Sequence, residues 1–314
     1  MMKKETILVA LGGNALQRRG EKGSIEELLA HAKKTSESLA ELVEAGYRLI
    51  ITHGNGPQVG TLLLKDEYTK EKLPPMSLDV CVGETQGMIG YVLQQQLHNQ
   101  LKKRKRTEEI ITLCTQVVVD REDPAFKEPT KPVGLFYSRE QAEVLKEKKG
   151  WNFTEERGKG FRRVVPSPLP IDIIEVNAIK DLIEKNRIVI ACGGGGIPVI
   201  RGEEGSLEGV AAVIDKDRTA ALLAKKVHAE IFMILTDVEH VALHFGAPNQ
   251  KNLSQMTVAE AEVYLEKGEF GRGSMAPKVE AACAFIKSGG KKVLISSLEQ
   301  AKEALFGHSG TVIK

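Results

Sequence analysis

A chain of 314 residues, 42% hydrophobic and 27% charged, has ample material for one large α/β unit or two lobes. Its 44 basic and 42 acidic residues leave a formal charge of +2, which excludes the strongly basic balance of a nucleic-acid-binding or membrane-surface protein. No window approaches the ~18 consecutive apolar residues a membrane span needs. The opening Met1-Met2-Lys3-Lys4-Glu5-Thr6 shows no signal-like stretch, so a cytoplasmic location is expected.

Taken in chain order, Ile7-Leu8-Val9-Ala10-Leu11 reads as a buried strand that Gly12-Gly13 breaks. Ser24, with Glu27 three residues on, predicts the capped start of a helix lasting to about 45. Arg48-Leu49-Ile50-Ile51-Thr52 is a second strand, followed by the turn His53-Gly54-Asn55-Gly56-Pro57. A helix is predicted over 82–101, and Lys102-Lys103-Arg104-Lys105-Arg106 reads as its solvated end, since no neighbouring aromatics offer base-stacking faces. A third strand region covers 110–119. Further buried strands are Arg187-Ile188-Val189-Ile190-Ala191, Ile231-Phe232-Met233-Ile234-Leu235 and Lys292-Val293-Leu294-Ile295. Apolar strands alternating with helices predict an α/β fold with a mainly parallel sheet covered on both faces. The scattered Cys81, Cys114, Cys192 and Cys283 form no CxxC pair and read as buried free thiols.

Residues 121–170 interrupt this rhythm with Pro124, Pro129, Pro132, Pro166, Pro168 and Pro170 and dense charge. Insertions of this length are usually functional or disordered. Phe136, Tyr137, Trp151, Phe153 and Phe161 can seed a miniature core, so the expectation is a small lid subdomain over the active site.

In parallel sheets ligands sit at the carboxyl ends of the strands, which selects four loops. Gly12-Gly13-Asn14 and His53-Gly54-Asn55-Gly56 bring backbone N–H groups toward an anion, with Pro57 opening a helix. His53, with no adjacent acid, reads as a packing residue. Four consecutive glycines, Gly193-Gly194-Gly195-Gly196, imply close backbone approach to a small ligand or to the lid. Thr236-Asp237 is the fourth. The chain has neither GxxxxGK[ST] nor a strand-linked GxGxxG, which disfavours P-loop and Rossmann nucleotide sites. Lys216 lies between Asp215 and Asp217 just before a helix, and Lys278 lies at a helix N-terminus, where a cation opposes the helix dipole unless an anion also binds.

Together these loops resemble the carbamate kinases of the amino-acid kinase superfamily from end to end. The matching segments include Ala10-Leu11-Gly12-Gly13-Asn14-Ala15, Thr52-His53-Gly54-Asn55-Gly56-Pro57-Gln58, Pro129-Thr130-Lys131-Pro132-Val133-Gly134, Arg162-Arg163-Val164-Val165-Pro166, Ala212-Val213-Ile214-Asp215-Lys216-Asp217, Leu235-Thr236-Asp237-Val238-Glu239 and Gly273-Ser274-Met275-Ala276-Pro277-Lys278. The resemblance implies an open three-layer αβα sandwich with a mainly parallel eight-stranded sheet and a small protruding lid. A carbamate-binding lobe over 1–210 would include the lid at 121–170, and a nucleotide-binding lobe would cover 211–314.

The implied reaction is reversible phosphoryl transfer between ATP and carbamate, giving ADP and carbamoyl phosphate, run toward ATP in arginine catabolism by a homodimer. Lys131, Lys216 and Lys278 would neutralise the transferred group, with Asp217 holding the lysines. Gly12, Gly13, Asn14, Gly54, Asn55, Gly56, Gly194 and Gly195 would bind the substrate and its phosphoryl group. Asp215, Thr236, Asp237, Met275 and Lys278 would meet the nucleotide. Mg2+ would bridge the nucleotide phosphates and keep several waters, so few protein ligands are expected. Arg272 and Ala276 depart from the small residues usual in that segment, and His240-Val241-Ala242-Leu243 lacks the aromatic expected near the adenine. The alternatives are a kinase of this fold for another small carboxylate, whose relatives often carry lysine at the position of Asn14, and a silent nucleotide sensor.

Overall fold

The strand runs form one sheet because each is apolar on both faces and must be covered twice. A computed structural model describes residues 4–314 apart from 19, 157–159 and 272, and the side chains at 14 and 135 are left aside. Eight strands follow the order Gln255–Met256, Thr311–Ile313, Lys292–Ser297, Ile231–Thr236, Thr6–Leu11, Arg48–His53, Ile188–Ile190, Ile110–Thr112. Lys292–Ser297 and Thr311–Ile313 pair antiparallel, and the remaining neighbours pair parallel. Side chains alternate between the faces with a period of two. Leu8, Ala10, Ile50, Phe232 and Ile234 enter one core, and Ile7, Val9, Leu11, Leu49, Ile51 and Met233 the other. The first core is closed by helices Val176–Glu184, Lys216–Lys226 and Met275–Lys287, and the second by Ile25–Glu44 and Leu78–Lys103. The predicted three-layer α/β architecture is the observed one.

Local signals account for most boundaries. Ser24 accepts from the Glu27 N–H at 3.3 Å while the Glu27 carboxylate accepts from the Ser24 N–H at 2.9 Å, a closed capping box. The helix predicted over 82–101 runs longer, from Leu78 to Lys103. The basic run closes it, with Arg104 pairing with Glu44 and Arg106 with Glu108.

Two expectations need correction. Region 110–119 is two strands, Ile110–Thr112 in the main sheet and Gln116–Val118 in a separate four-stranded sheet. Buried Gln86 marks the break: its amide accepts from the Thr115 N–H at 2.7 Å, a group a strand partner would use, and donates at 3.2 Å to the Thr115 carbonyl, which also accepts from the Ile197 N–H of the second sheet at 2.9 Å. Of the four cysteines, Cys81, Cys192 and Cys283 are buried free thiols, but Cys114 is exposed. Burial pushes the Cys81 and Cys283 thiols up to about 11.

The Pro-rich insertion folds. Strands Lys131–Tyr137, Gly160–Val165 and Asn152–Glu156 form an antiparallel sheet, and helix Arg139–Lys149 joins the first to the last of these. Tyr137 meets Phe153 edge-on at 5.6 Å, and Trp151 lies 6.4 Å from Phe153. Phe136 and Phe161 stand outside this cluster beneath Arg162 and Arg139. At the base, Val133 and Val165 pack with Val59, Leu78, Cys81 and Val82 of the main body. The seam is tight because it is glycine against glycine: a Cβ on Gly60, in helix Gly56–Thr69, would stand 3.3 Å from the Gly134 Cα.

That contact gives a prediction. Gly60→Ala gains up to about 1 kcal/mol of helix propensity yet pushes the lid outward. Hydrogen exchange should therefore accelerate in Lys131–Tyr137 while helix Gly56–Thr69 keeps or gains protection. Equal acceleration in both would show that the seam does not hold the lid.

Candidate active site

Thr6–Leu11 connects onward to a strand on one side and lies beside Ile231–Thr236 on the other, so the order reverses here and a crevice opens at the carboxyl ends. Asp215 begins the helix Lys216–Lys226 by accepting from the Asp217 and Arg218 N–H groups at 3.0 and 3.2 Å. This cap places Lys216 on the first turn, facing the crevice. Asp217 is only 4% exposed. Its two oxygens accept from Lys216 Nζ at 2.6 Å and from Lys278 Nζ at 2.9 Å, the latter on the first turn of helix Met275–Lys287.

The electrostatics follow from this geometry. Burial alone would raise the Asp217 pKa, but the two ammonium groups outweigh it and hold the carboxyl well below the usual range. Lys216 is pushed below the ordinary lysine value by burial and by Lys278, against the pull of Asp217. From the lid, Lys131 Nζ reaches Asp215 at 2.9 Å. Burial raises the Asp215 pKa, and Lys131 more than reverses the effect. Three cations thus converge on two carboxylates, leaving a surplus positive charge beside two helix N-termini.

Two cavities share this centre. A polar one of about 210 Å³ is enclosed by Gly54, Asn55, Gly56, Lys131, Gly194 and the 213–217 segment. A larger one of about 460 Å³ is bounded by Gly12, Gly13, Thr236, Asp237, Phe245, Phe270 and Met275. Gly273, Ser274 and Lys278 line both, so Lys278 marks the passage between them. The two glycine loops touch at the same point: a Cβ on Gly54 would lie 4.0 Å from Gly13 and 3.9 Å from Lys216 Cε.

Most of the residues singled out in the sequence therefore gather here, with three refinements. Asp215 lines the polar cavity and not the larger one. Both glycines are buried, but Gly194 lines the polar cavity whereas Gly195 does not, and the Gly195 carbonyl accepts from the Thr219 hydroxyl at 2.9 Å. The four-glycine run does not open toward a ligand or the lid along its length. Side chains at its four positions would collide with His53, Asn55, the Ile214 carbonyl and Val117, so the protein's own packing demands the glycines. Gly194, at φ +69, is the sharpest case, its would-be Cβ 2.0 Å from Asn55 Nδ2. Lys131 already touches Asp215, so the lid is seated here. The donor role read for the Asn14 side chain, and Arg272, lie outside the described residues.

Sequence reasoning missed the aromatic wall of the larger cavity. Phe245 and Phe270 line it, with Phe245 70% exposed at the rim. A phenylalanine stranded in the polar run Leu243-His244-Phe245-Gly246 was the available signal. His53 is buried and neutral, its Nδ1 3.0 Å from the Gly54 carbonyl, as expected of a packing residue.

Comparison with known proteins agrees with the geometry. The amino acid kinase family model matches residues 5–297, so the chain belongs to that family. It is 50% identical over 309 residues to a carbamate kinase from Pyrococcus furiosus, covering 98% of each chain. A solved structure of carbamate kinase from Giardia lamblia bound to AMP-PNP superposes with a TM-score of 0.93 at 39% identity, over 100% of this chain and 99% of that one. A crystal structure from Aeropyrum pernix gives 0.94 at 40% identity, over 98% and 99%. Within the amino acid kinases, the chain is a member of the carbamate kinase family, and it is a phosphotransferase.

Burial lowers the His53 pKa from 6.5 to about 4. The unfolded chain therefore takes up a proton that the folded one refuses between these values, and stability falls as pH drops through that window, with no effect above it. His53→Gln should lose about 2 kcal/mol less than the native protein between pH 7 and pH 5. Urea unfolding at both values measures it, and identical losses would refute a buried neutral imidazole.

Proposed function

We propose that this enzyme interconverts ATP plus carbamate with ADP plus carbamoyl phosphate, that the cell runs it toward ATP in arginine breakdown, and that it works in the cytoplasm as a homodimer. The observation that carries the chemistry is Lys278, shared by a nucleotide-sized cavity and a small polar one, with Asp217 tying it to Lys216. In this reading the larger cavity, built mostly by the 211–314 lobe, takes the nucleotide. Thr236, Asp237 and Met275 meet it, and Phe245 and Phe270 cover its base. The polar cavity, walled by the 1–210 lobe on one side and by the 213–217 and 273–278 segments on the other, takes carbamate.

A carbamate oxygen attacks the γ-phosphorus while the bond to the β,γ-bridging oxygen breaks and ADP departs. The nucleophile is already an anion, so no general base is required. Negative charge spread over the transferred group's oxygens is met by Lys131, Lys216 and Lys278 and by backbone N–H groups of Gly13, Gly54 and Gly56. The Gly12 N–H instead donates to the Leu235 carbonyl at 2.8 Å, and Gly12 serves close approach alone. The seated lid excludes water from an unstable substrate.

Among the described residues no group of three metal-ligating side chains occurs, and Asp215 and Asp217 are engaged with lysines. In this reading Mg2+ is carried in on the nucleotide phosphates, where it would neutralise charge between them. For the dimer, Val80, Met88 and Tyr91 form an exposed apolar stripe on helix Leu78–Lys103. Light scattering should give twice the mass of the 34.4 kDa chain, and a monomer at micromolar concentration would remove this part of the proposal.

Purified protein given ADP, carbamoyl phosphate and Mg2+ should form ATP. Transfer to acetylglutamate with none to or from carbamate would overturn the reading. Lys131 lines only the polar cavity, so Lys131→Ala should lower kcat by ~10²-fold or more and leave ADP affinity unchanged. Lys278→Ala should weaken both. Single-turnover kinetics with calorimetric ADP titration separates them, and reversed effects would reassign the two lysines.

A further inference from the structure

A third cavity, of about 210 Å³, lies on the outer side of the lid seam. Its lid wall holds Tyr137, Trp151 and Arg163, and its body wall holds Leu63, Leu64 and Met76. None of these groups has a part in the transfer chemistry. The Arg163 guanidinium stacks on the Trp151 ring at 4.0 Å, but among the described residues it makes no ion pair and no side-chain hydrogen bond. The Tyr137 hydroxyl likewise has no hydrogen-bond partner among the described residues. The two donors are close enough for their charges to couple, and burial disfavours the charged form of each.

The other charges around this cavity are already matched. Glu67 accepts from Lys70 and Lys149, each at 2.6 Å, and Asp66 accepts from the Met76 N–H at 3.1 Å. Two acids face three cations, so the lining carries one net positive charge. Glu67 also acts at a distance on Arg163 and Tyr137, but Arg163 is the cation of this lining that makes no ion pair among the described residues. A guanidinium fork, which has donors and no acceptor, beside a phenol that can turn its O–H toward the same ligand, suits a planar carboxylate. The aliphatic wall opposite suits an apolar body attached to it.

We infer that the seam cavity is a binding site for a small organic monocarboxylate, held by Arg163 and Tyr137 and packed against Trp151, Leu63 and Met76. Its occupant touches lid and body together, so it favours the seated lid, and by linkage a seated lid favours its binding. The inference stands independently of the proposed reaction.

Trp151 is the single tryptophan of the chain, so its fluorescence reports this cavity directly. Titration with cyclohexanecarboxylate should give a saturable change, and the isosteric neutral amide should give none. Arg163→Gln should weaken binding by about tenfold or more, as expected for a lost charge-assisted contact, with Arg163→Lys intermediate. Lys216→Ala should titrate like the native protein. The assignment is overturned if the carboxylate gives no saturable change, or if both Arg163 variants bind as the native chain does. It is equally overturned if inorganic phosphate produces the same response at the same concentration, or if Lys216→Ala abolishes the response, which would place the anion in the polar cavity.

Discussion

The site depends on one buried carboxylate. Asp217 has almost no access to water, and it keeps its charge because Lys216 and Lys278 each donate to a different oxygen. Two ammonium groups this close repel, and burial adds to the cost of charging them. The carboxylate offsets both effects and fixes where the lysines point. They meet an incoming phosphoryl group without reorganising, which is the condition under which such contacts favour a transition state most. Removing Asp217 would leave two uncompensated buried cations, a larger loss than any single contact in the network suggests.

Lys131 and Asp215 make a second pair of a different kind. Its lysine side chain is 36% exposed, against 14% or less for the other two. Solvent screening makes such a pair weak, which suits an attachment that has to form and break. The remainder of the lid is built in the same way. Its apolar core is thin, and cations stacked on Trp151 and Phe161 take over part of the work of burial. A subdomain with few buried contacts, joined to the body by a small valine cluster and a glycine seam, belongs to the low-stability end of a fold, where lids are found.

Sequence patterns disclosed the scaffold where a local rule governed it. Buried strands showed as apolar runs, and the Ser24–Glu27 box showed the first helix, because both are set by neighbouring residues. The convergence of Lys131, Lys216 and Lys278 was legible through the resemblance and through the odd position of a lysine at a helix start. Long-range packing was not legible. Nothing near Thr115 announces that Gln86, 29 residues earlier, will take its N–H where the chain passes from one sheet to the other. The glycine run was noticed, yet its cause lies in His53, Asn55, Ile214 and Val117, which the chain brings there only on folding. The aromatic wall was missed for the same reason, since Phe245 and Phe270 are 25 residues apart in the chain and come to line one cavity only on folding.

These two kinds of glycine explain how a sheet edge becomes a site. Gly193 to Gly196 are spent inside the protein, letting the 193–196 turn sink against His53 and Asn55 and fixing the floor of the polar cavity. Gly54 lines the polar cavity and Gly13 the larger one, and the two approach each other beside Lys216 with little except backbone to present. Buried glycines set the shape, and exposed ones leave N–H groups uncovered in it. A Cβ at Gly13 would meet nothing within 4 Å, and one at Gly54 would make only ordinary contact with Lys216 Cε at 3.9 Å, so the lysine does not need these glycines for its seat. The position of the key ammonium group is thus decided by Asp217, and the two glycines leave open the space that an anion approaching it would use.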